Sequence, residues 1–149
     1  MNTSRLRCAV IGVGRMGRHH ARVMSRQEDV EFLGVLDRDA ARVAETVEQH
    51  GGRGFASLED LLAEKPDAVV VATPTVTHPE LVIGLLERGV ACLVEKPLAA
   101  DALQARRIAE SAERSGVALQ VGHVVRYDPV MRAIRAIQGL EPLFIQVER

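Results

Sequence analysis

Apolar residues fall into two spacings that alternate along the whole chain. Short, nearly unbroken apolar runs occur at 6–12 (LRCAVIG), 30–37, 68–72 (AVVVA), 90–95 and 117–122, the pattern of strands covered on both faces. Between them, stretches with helical spacing occupy 17–26, 40–50, 58–64, 79–88 and 102–115. A further helix runs from Pro129 to about 138, and 143–147 reads as a last strand. Residue chemistry marks the ends. Ser57 with Asp60, Asp101 with Gln104, and Asp128-Pro129 open helices, while Gly51-Gly52, Gly89 and Gly116 stop them.

Strand–helix alternation of this kind implies an α/β fold: a doubly wound parallel sheet with helices on both faces and right-handed crossovers. One internal boundary falls near Gly139–Pro142. Residues 1–140 read as one domain, and 141–149 as the start of a second. A lone terminal strand is an unpaired edge, so the chain is expected to be cut, or to end naturally, just inside that second domain.

Composition narrows the picture by exclusion. With 149 residues, 47% hydrophobic and 26% charged, the chain can bury a core of its own. A formal net charge of −1 offers no field for nucleic acid or anionic membrane. No apolar run reaches the roughly 18 residues of a membrane span, and the amino-terminal residues lack a signal-peptide core, so a cytoplasmic location is expected. Cys8 and Cys92 stand alone in apolar runs, which predicts buried free thiols. No histidine pair has metal-ligand spacing with supporting acids, and no metal is expected.

The first chemical signal is Gly12-Val13-Gly14-Arg15-Met16-Gly17, a G-x-G-x-x-G between an apolar strand and a helix. Gly12 permits the tight turn, Gly14 lets backbone approach a pyrophosphate, and Gly17 allows close helix–strand packing. The helix that follows offers free amides and a positive dipole end to phosphates. Asp37 ends the second strand, twenty residues beyond Gly17, where a carboxylate accepts from ribose hydroxyls and repels a 2′-phosphate. Together these predict a Rossmann-type dinucleotide-binding domain that favours NAD over NADP. Arg38 beside Asp37 either stacks on adenine or tolerates a 2′-phosphate.

Two further segments, VVVATPTVTH at 69–78 and VEKPL at 94–98, resemble the glucose–fructose oxidoreductase/inositol dehydrogenase (Gfo/Idh/MocA) family, as does GHVVRYDP at 122–129. The likeness runs from about Leu6 to Pro129, and E-K-P is its most specific element. The resemblance implies an NAD-dependent dehydrogenase that moves hydride between the cofactor and a secondary alcohol of a sugar, sugar nucleotide or cyclitol. It implies that Lys96 is catalytic beside the nicotinamide, and that Glu95 holds the cofactor near its ribose. It makes Ala72, Thr73 and Pro74 a cofactor-facing loop. Thr75 and Thr77 are alternatively local caps, and His78 is either a cofactor contact or a cap or surface residue. Packing or phosphate proximity suits His19 and His20 better than catalysis. His123 and Arg126 are substrate candidates, with an ion pair to Asp128 or Glu95 as the other reading of Arg126.

The family also implies a second domain that supplies the substrate pocket and subunit contacts. Independent catalysis by this chain is therefore not expected, since hydride transfer needs the substrate held close to the nicotinamide. The competing reading is a stand-alone NAD(H)-binding or sensing module. A homo-oligomer through the exposed terminal strand is a further expectation.

Overall fold

Residues 5–137 and 139 are described by a computed structural model of the chain. Its elements are β1 (Leu6–Ile11), α1 (Gly17–Met24), β2 (Val30–Leu36), α2 (Ala40–His50), β3 (Arg53–Gly54), α3 (Leu58–Ala63), β4 (Ala68–Val71), α4 (His78–Leu86), β5 (Ala91–Val94), α5 (Ala102–Ser115), β6 (Leu119–Val121) and α6 (Pro129–Ala136). Short 3₁₀ turns at Thr75–Thr77 and Val124–Tyr127 complete it. The strands form one sheet in the order β3-β2-β1-β4-β5-β6, and every neighbouring pair is parallel. This is the doubly wound Rossmann order, with β1 at the centre and the direction of winding reversing beside it.

The near-continuous apolar runs follow from burial on both faces. Alternation along β1 and β4 sends small and branched side chains to opposite sides: Ala9, Ile11, Val69 and Val71 face one cluster, Val10 and Val70 the other. The larger cluster is closed by Val82, Leu85 and Leu86 of α4, Ile108 of α5, and Leu61 of α3. The smaller is closed by Ala21 and Met24 of α1 and by Val43 and Val47 of α2.

The predicted caps form: Ser57 accepts from the amide of Asp60, Asp101 from Gln104, and Asp128 from Val130. Asp39, not singled out in the sequence, caps α2 by accepting from Ala41 and Arg42. Gly116 ends α5 in the left-handed conformation.

Two local differences have physical causes. The strands stop a residue or more short of their apolar runs, because the chain turns away at each carboxyl end to form the loops described below. The strand β3 escapes a periodicity reading because it has only two residues. It pairs with Gly34–Val35, and a side chain at Gly34, where φ is +139°, would collide with the Arg53 backbone. The predicted strand at 143–147 and the 141–149 domain start lie outside the described residues.

Both cysteines are buried free thiols. Burial, aided by the Asp67 and Asp29 carboxylates, pushes Cys8 up to about 11, and burial alone pushes Cys92 up to about 12. Each thiol thus ionises at higher pH folded than unfolded. The unfolded chain sheds these protons first, so this contribution is complete below about 9 and is lost as pH rises toward about 12. We expect an aromatic disulfide reagent to leave both thiols untouched in the native chain at neutral pH and to titrate both in guanidinium. The guanidinium midpoint should fall with pH above about 9, measured by circular dichroism.

Candidate functional site

Parallel register places the chemistry-bearing residues in one row. Ile11 pairs with Leu36 on one side and Val71 on the other, Val71 pairs with Val94, and Val94 with Val121. The next residue on each strand is therefore Gly12, Asp37, Ala72, Glu95 and Gly122, side by side at the carboxyl edge of the sheet. Their backbone still reaches across: Gly12, Ala72, Glu95 and Gly122 donate to the carbonyls of Leu36, Ile11, Val71 and Val94 at 2.8–2.9 Å. Ligands of open α/β sheets bind at this edge, beside the reversal of winding.

The glycine loop crosses the top of β1. Gly12 has φ +87°, and a Cβ there would lie 2.7 Å from the Ala72 carbonyl oxygen. A Cβ on Gly17 would fall on the Gly12 carbonyl, so this glycine lets α1 seat against the loop. Gly14 differs: the nearest atom to a Cβ added there would be Arg42 Nη1, at 3.9 Å. Gly12 and Gly17 are thus demanded by the fold itself, whereas Gly14 leaves open space over the backbone. No side chain caps the start of α1, unlike α2, α3, α5 and α6. In its first turn Arg18 and His19 already donate to the Gly14 and Met16 carbonyls, which leaves the amides of Arg15, Met16 and Gly17 to an anion.

Asp37 tethers this loop. One carboxylate oxygen accepts from the Val13 amide at 2.7 Å, the other from the Asp39 amide at 2.9 Å. A carboxylate has about four acceptor positions, so capacity remains for a ribose diol. The residue that the spacing assigns to a ribose thus also holds the glycine loop in shape.

At the other end of the row, Glu95 is only 7% exposed. Its Oε1 lies 2.7 Å from His20 Nε2 on α1, and its Oε2 accepts from the Lys96 amide at 3.2 Å. Lys96 follows on the surface, ahead of a cis peptide to Pro97, and forms no ion pair among the described residues. The exposed Glu95–Lys96 pair that a strand end would suggest is absent there; the carboxylate is turned inward to a histidine.

His78 is buried, at 1% exposure. Its Nδ1 lies 3.1 Å from the Leu98 carbonyl and its Nε2 2.9 Å from the Thr73 carbonyl. The ring donates to one carbonyl in either neutral tautomer and to both when protonated. It is neither a cap nor a surface residue, and it does not line the cleft; it ties the loop after β4 to the loop after β5. Thr77 is likewise no side-chain cap. Its hydroxyl lies 2.8 Å from both the Thr73 hydroxyl and the Pro74 carbonyl, bracing the same loop.

A cleft of about 930 Å³ runs along the row, from Asp37, Arg38 and Arg42 past Gly14, Arg15 and Met16 to Thr73, Pro74, Glu95 and Lys96. Gly12 and Ala72 form part of its floor. Val13 faces a separate hollow of about 290 Å³ between α1 and α2, shared with Arg15, Arg18 and Arg42. His123 and Arg126 lie on the exposed segment after β6, outside the cleft lining, and Arg126 bonds to neither Glu95 nor Asp128 among the described residues. Sequence reading overlooks Arg42, Glu80 and Leu81, which enter the cleft from the first turns of α2 and α4. The signal is present all the same: helices that follow strands in this fold point their N-termini at the carboxyl edge.

Comparison with known proteins agrees with this geometry. Residues 6–123 match a family model described as "Oxidoreductase family, NAD-binding Rossmann fold". The chain is 35% identical over 144 residues to a UDP-N-acetylglucosamine 3-dehydrogenase of Acidithiobacillus ferrooxidans, covering 97% of this chain and 45% of that protein. The solved structure of the enzyme of that name and organism superposes with TM-score 0.82 at 37% identity, over 88% of this chain and 42% of the other. A scyllo-inositol 2-dehydrogenase (NAD(+)) of Bacillus subtilis is 32% identical over 83% of this chain and 37% of its own length. The WlbA dehydrogenase of Bordetella pertussis, solved with NADH and UDP-GlcNAcA, superposes with TM-score 0.80 at 27% identity over 87% of this chain and 40% of its own. The chain thus spans less than half the length of each of these relatives.

The two kinds of glycine separate experimentally. Gly17→Ala should destabilise the fold by at least about 1–3 kcal/mol in guanidinium unfolding, since helix or loop must shift to admit the methyl group. Gly14→Ala should leave the unfolding midpoint close to wild type.

Proposed function

The chain belongs to the Gfo/Idh/MocA family of oxidoreductases, as its NAD-binding Rossmann unit, and from that premise we propose that it binds NAD(H) along the carboxyl-edge cleft. The proposed reaction is hydride transfer between the cofactor and a secondary alcohol of a sugar, sugar nucleotide or cyclitol. The observation that carries the reading is the single row of Gly12, Asp37, Ala72 and Glu95, with Gly14 leaving its backbone uncovered at the mouth of α1.

The residues fit a dinucleotide in order. Asp37 meets the adenosine ribose, with Arg38 and Arg42 beside it. Gly14, Arg15 and the uncapped start of α1 receive the pyrophosphate. Thr73, Pro74, Glu95 and Lys96 enclose the nicotinamide end. A bound nicotinamide supplies the hydride acceptor or donor. The Lys96 ammonium, exposed and free of an ion pair among the described residues, hydrogen-bonds the reacting oxygen and stabilises alkoxide character there. Asp37 favours NAD by repelling a 2′-phosphate, while Arg38 and Arg42 temper that preference.

The substrate side of the site is assigned to a further domain. Val124, Tyr127, Val130 and Ile137 are more than half exposed, and no residue of α6 is buried. A surface of this kind suits cover by a domain that brings the substrate to Lys96. His123 and Arg126, on the same exposed segment, would face that domain rather than the cofactor. The names of the relatives, dehydrogenases of a sugar nucleotide and of a cyclitol, support the substrate class.

Calorimetric titration with NAD(H) and NADP(H) tests the reading. Wild type should bind NAD(H) saturably and more tightly than NADP(H). Gly14→Ala should lose both while remaining folded, and Asp37→Ala should weaken NAD(H) and narrow the gap to NADP(H). A folded wild-type chain that binds neither nucleotide would refute the proposal.

A further inference from the structure

We propose that His20 is a positioning residue for the nicotinamide end of the site, acting through Glu95 to keep the Lys96 ammonium free; this rests on the cofactor reading above. Glu95 is a carboxylate 7% exposed at the end of β5, and a charge so placed must be compensated. Two partners compensate it in the described residues: His20 Nε2 at 2.7 Å and the Lys96 amide at 3.2 Å. Gly122, the next position in the row, walls off a third side, where even a Cβ would lie 3.4 Å from Oε1. The carboxylate is thus held between α1, β5 and β6, three elements distant in sequence.

The consequence falls on the neighbouring residue. Lys96 is the cation adjoining Glu95 along the chain. With Oε1 drawn to His20 and Oε2 to the main chain, the carboxylate makes no ion pair with the ammonium among the described residues. Take the imidazole away, and Glu95 keeps a single long hydrogen bond. It then recruits the lysine head or swings into the cleft it lines. Either change disturbs the nicotinamide end and leaves the adenosine end, around Asp37, as it was. His20 touches neither substrate nor cofactor in this scheme; it acts by occupying Glu95.

The test compares two ligands that share an adenosine end. The whole chain carrying His20→Leu, His20→Gln or Glu95→Gln is titrated with NADH and with ADP, which lacks the nicotinamide and its ribose. His20→Leu should weaken NADH about tenfold, the scale of one lost charge-assisted hydrogen bond, with ADP unchanged. His20→Gln, whose amide can donate to Glu95, should recover most of that loss. Glu95→Gln combined with His20→Leu should be no worse than the poorer single variant, because both act through one contact. Equal weakening of NADH and ADP by His20→Leu would make the histidine merely structural and overturn the proposal, as would an additive double variant. Should His20→Leu fail to fold by circular dichroism, NADH binding by His20→Gln equal to or weaker than that by Glu95→Gln would also overturn it. Failure of wild type to bind either ligand would instead refute the cofactor reading itself.

Discussion

Parallel strands held in register leave all their carboxyl ends at one edge, and every functional feature of this chain hangs on that geometry. Five strands end level, so five residues drawn from positions 12 to 122 arrive side by side. The register is enforced by burial. A one-residue slip of β1 or β4 would send Val10 and Val70 to the wrong cluster and drag polar neighbours into the core. The hydrophobic effect, which is indifferent to chemistry, thereby sets the spacing of groups that are not hydrophobic at all.

Two carboxylates at that edge show how the polar groups stabilise one another. Asp37 accepts two main-chain amides and so holds the glycine loop in shape. Such preorganisation lowers the entropy lost on binding. Glu95, more deeply buried, is compensated by a histidine from the helix that the same glycine loop opens. The glycine-loop end and the Glu95 end of the cleft are thus coupled through α1: Gly17 fixes where the helix sits, and the helix fixes where His20 meets Glu95. His78 adds a second tie, between the loops after β4 and β5. The cleft is a set of mutually braced loops on a rigid sheet.

Much of this is legible in the residues. The strand and helix order, the capping residues Asp101, Ser57 and Asp128, and the stops at Gly51 and Gly116 are local chemistry, and local chemistry is what a sequence states directly. The glycine loop and Asp37 are legible because their spacing is tied to a strand–turn–helix–strand unit of nearly constant length. The short β3 is not, since its existence depends on close approach to Gly34 rather than on any pattern within Arg53–Gly54. His78 misleads for a related reason. A histidine before a proline at a helix start looks like a cap, and only the packed loop after β5 supplies the second carbonyl that buries it.

The sequence by itself determined the fold class, the shape of the glycine loop and the family, because apolar periodicity, glycine spacing and the E-K-P tripeptide are contiguous or nearly so. Tertiary structure alone decided which polar side chains meet. His20 and Glu95 are seventy-five positions apart, and His78 and Leu98 twenty. Nothing in either stretch names its partner. A hydrogen bond at 2.7 Å requires two backbones to be placed to within a fraction of an ångström, and that placement is the product of the whole packed sheet.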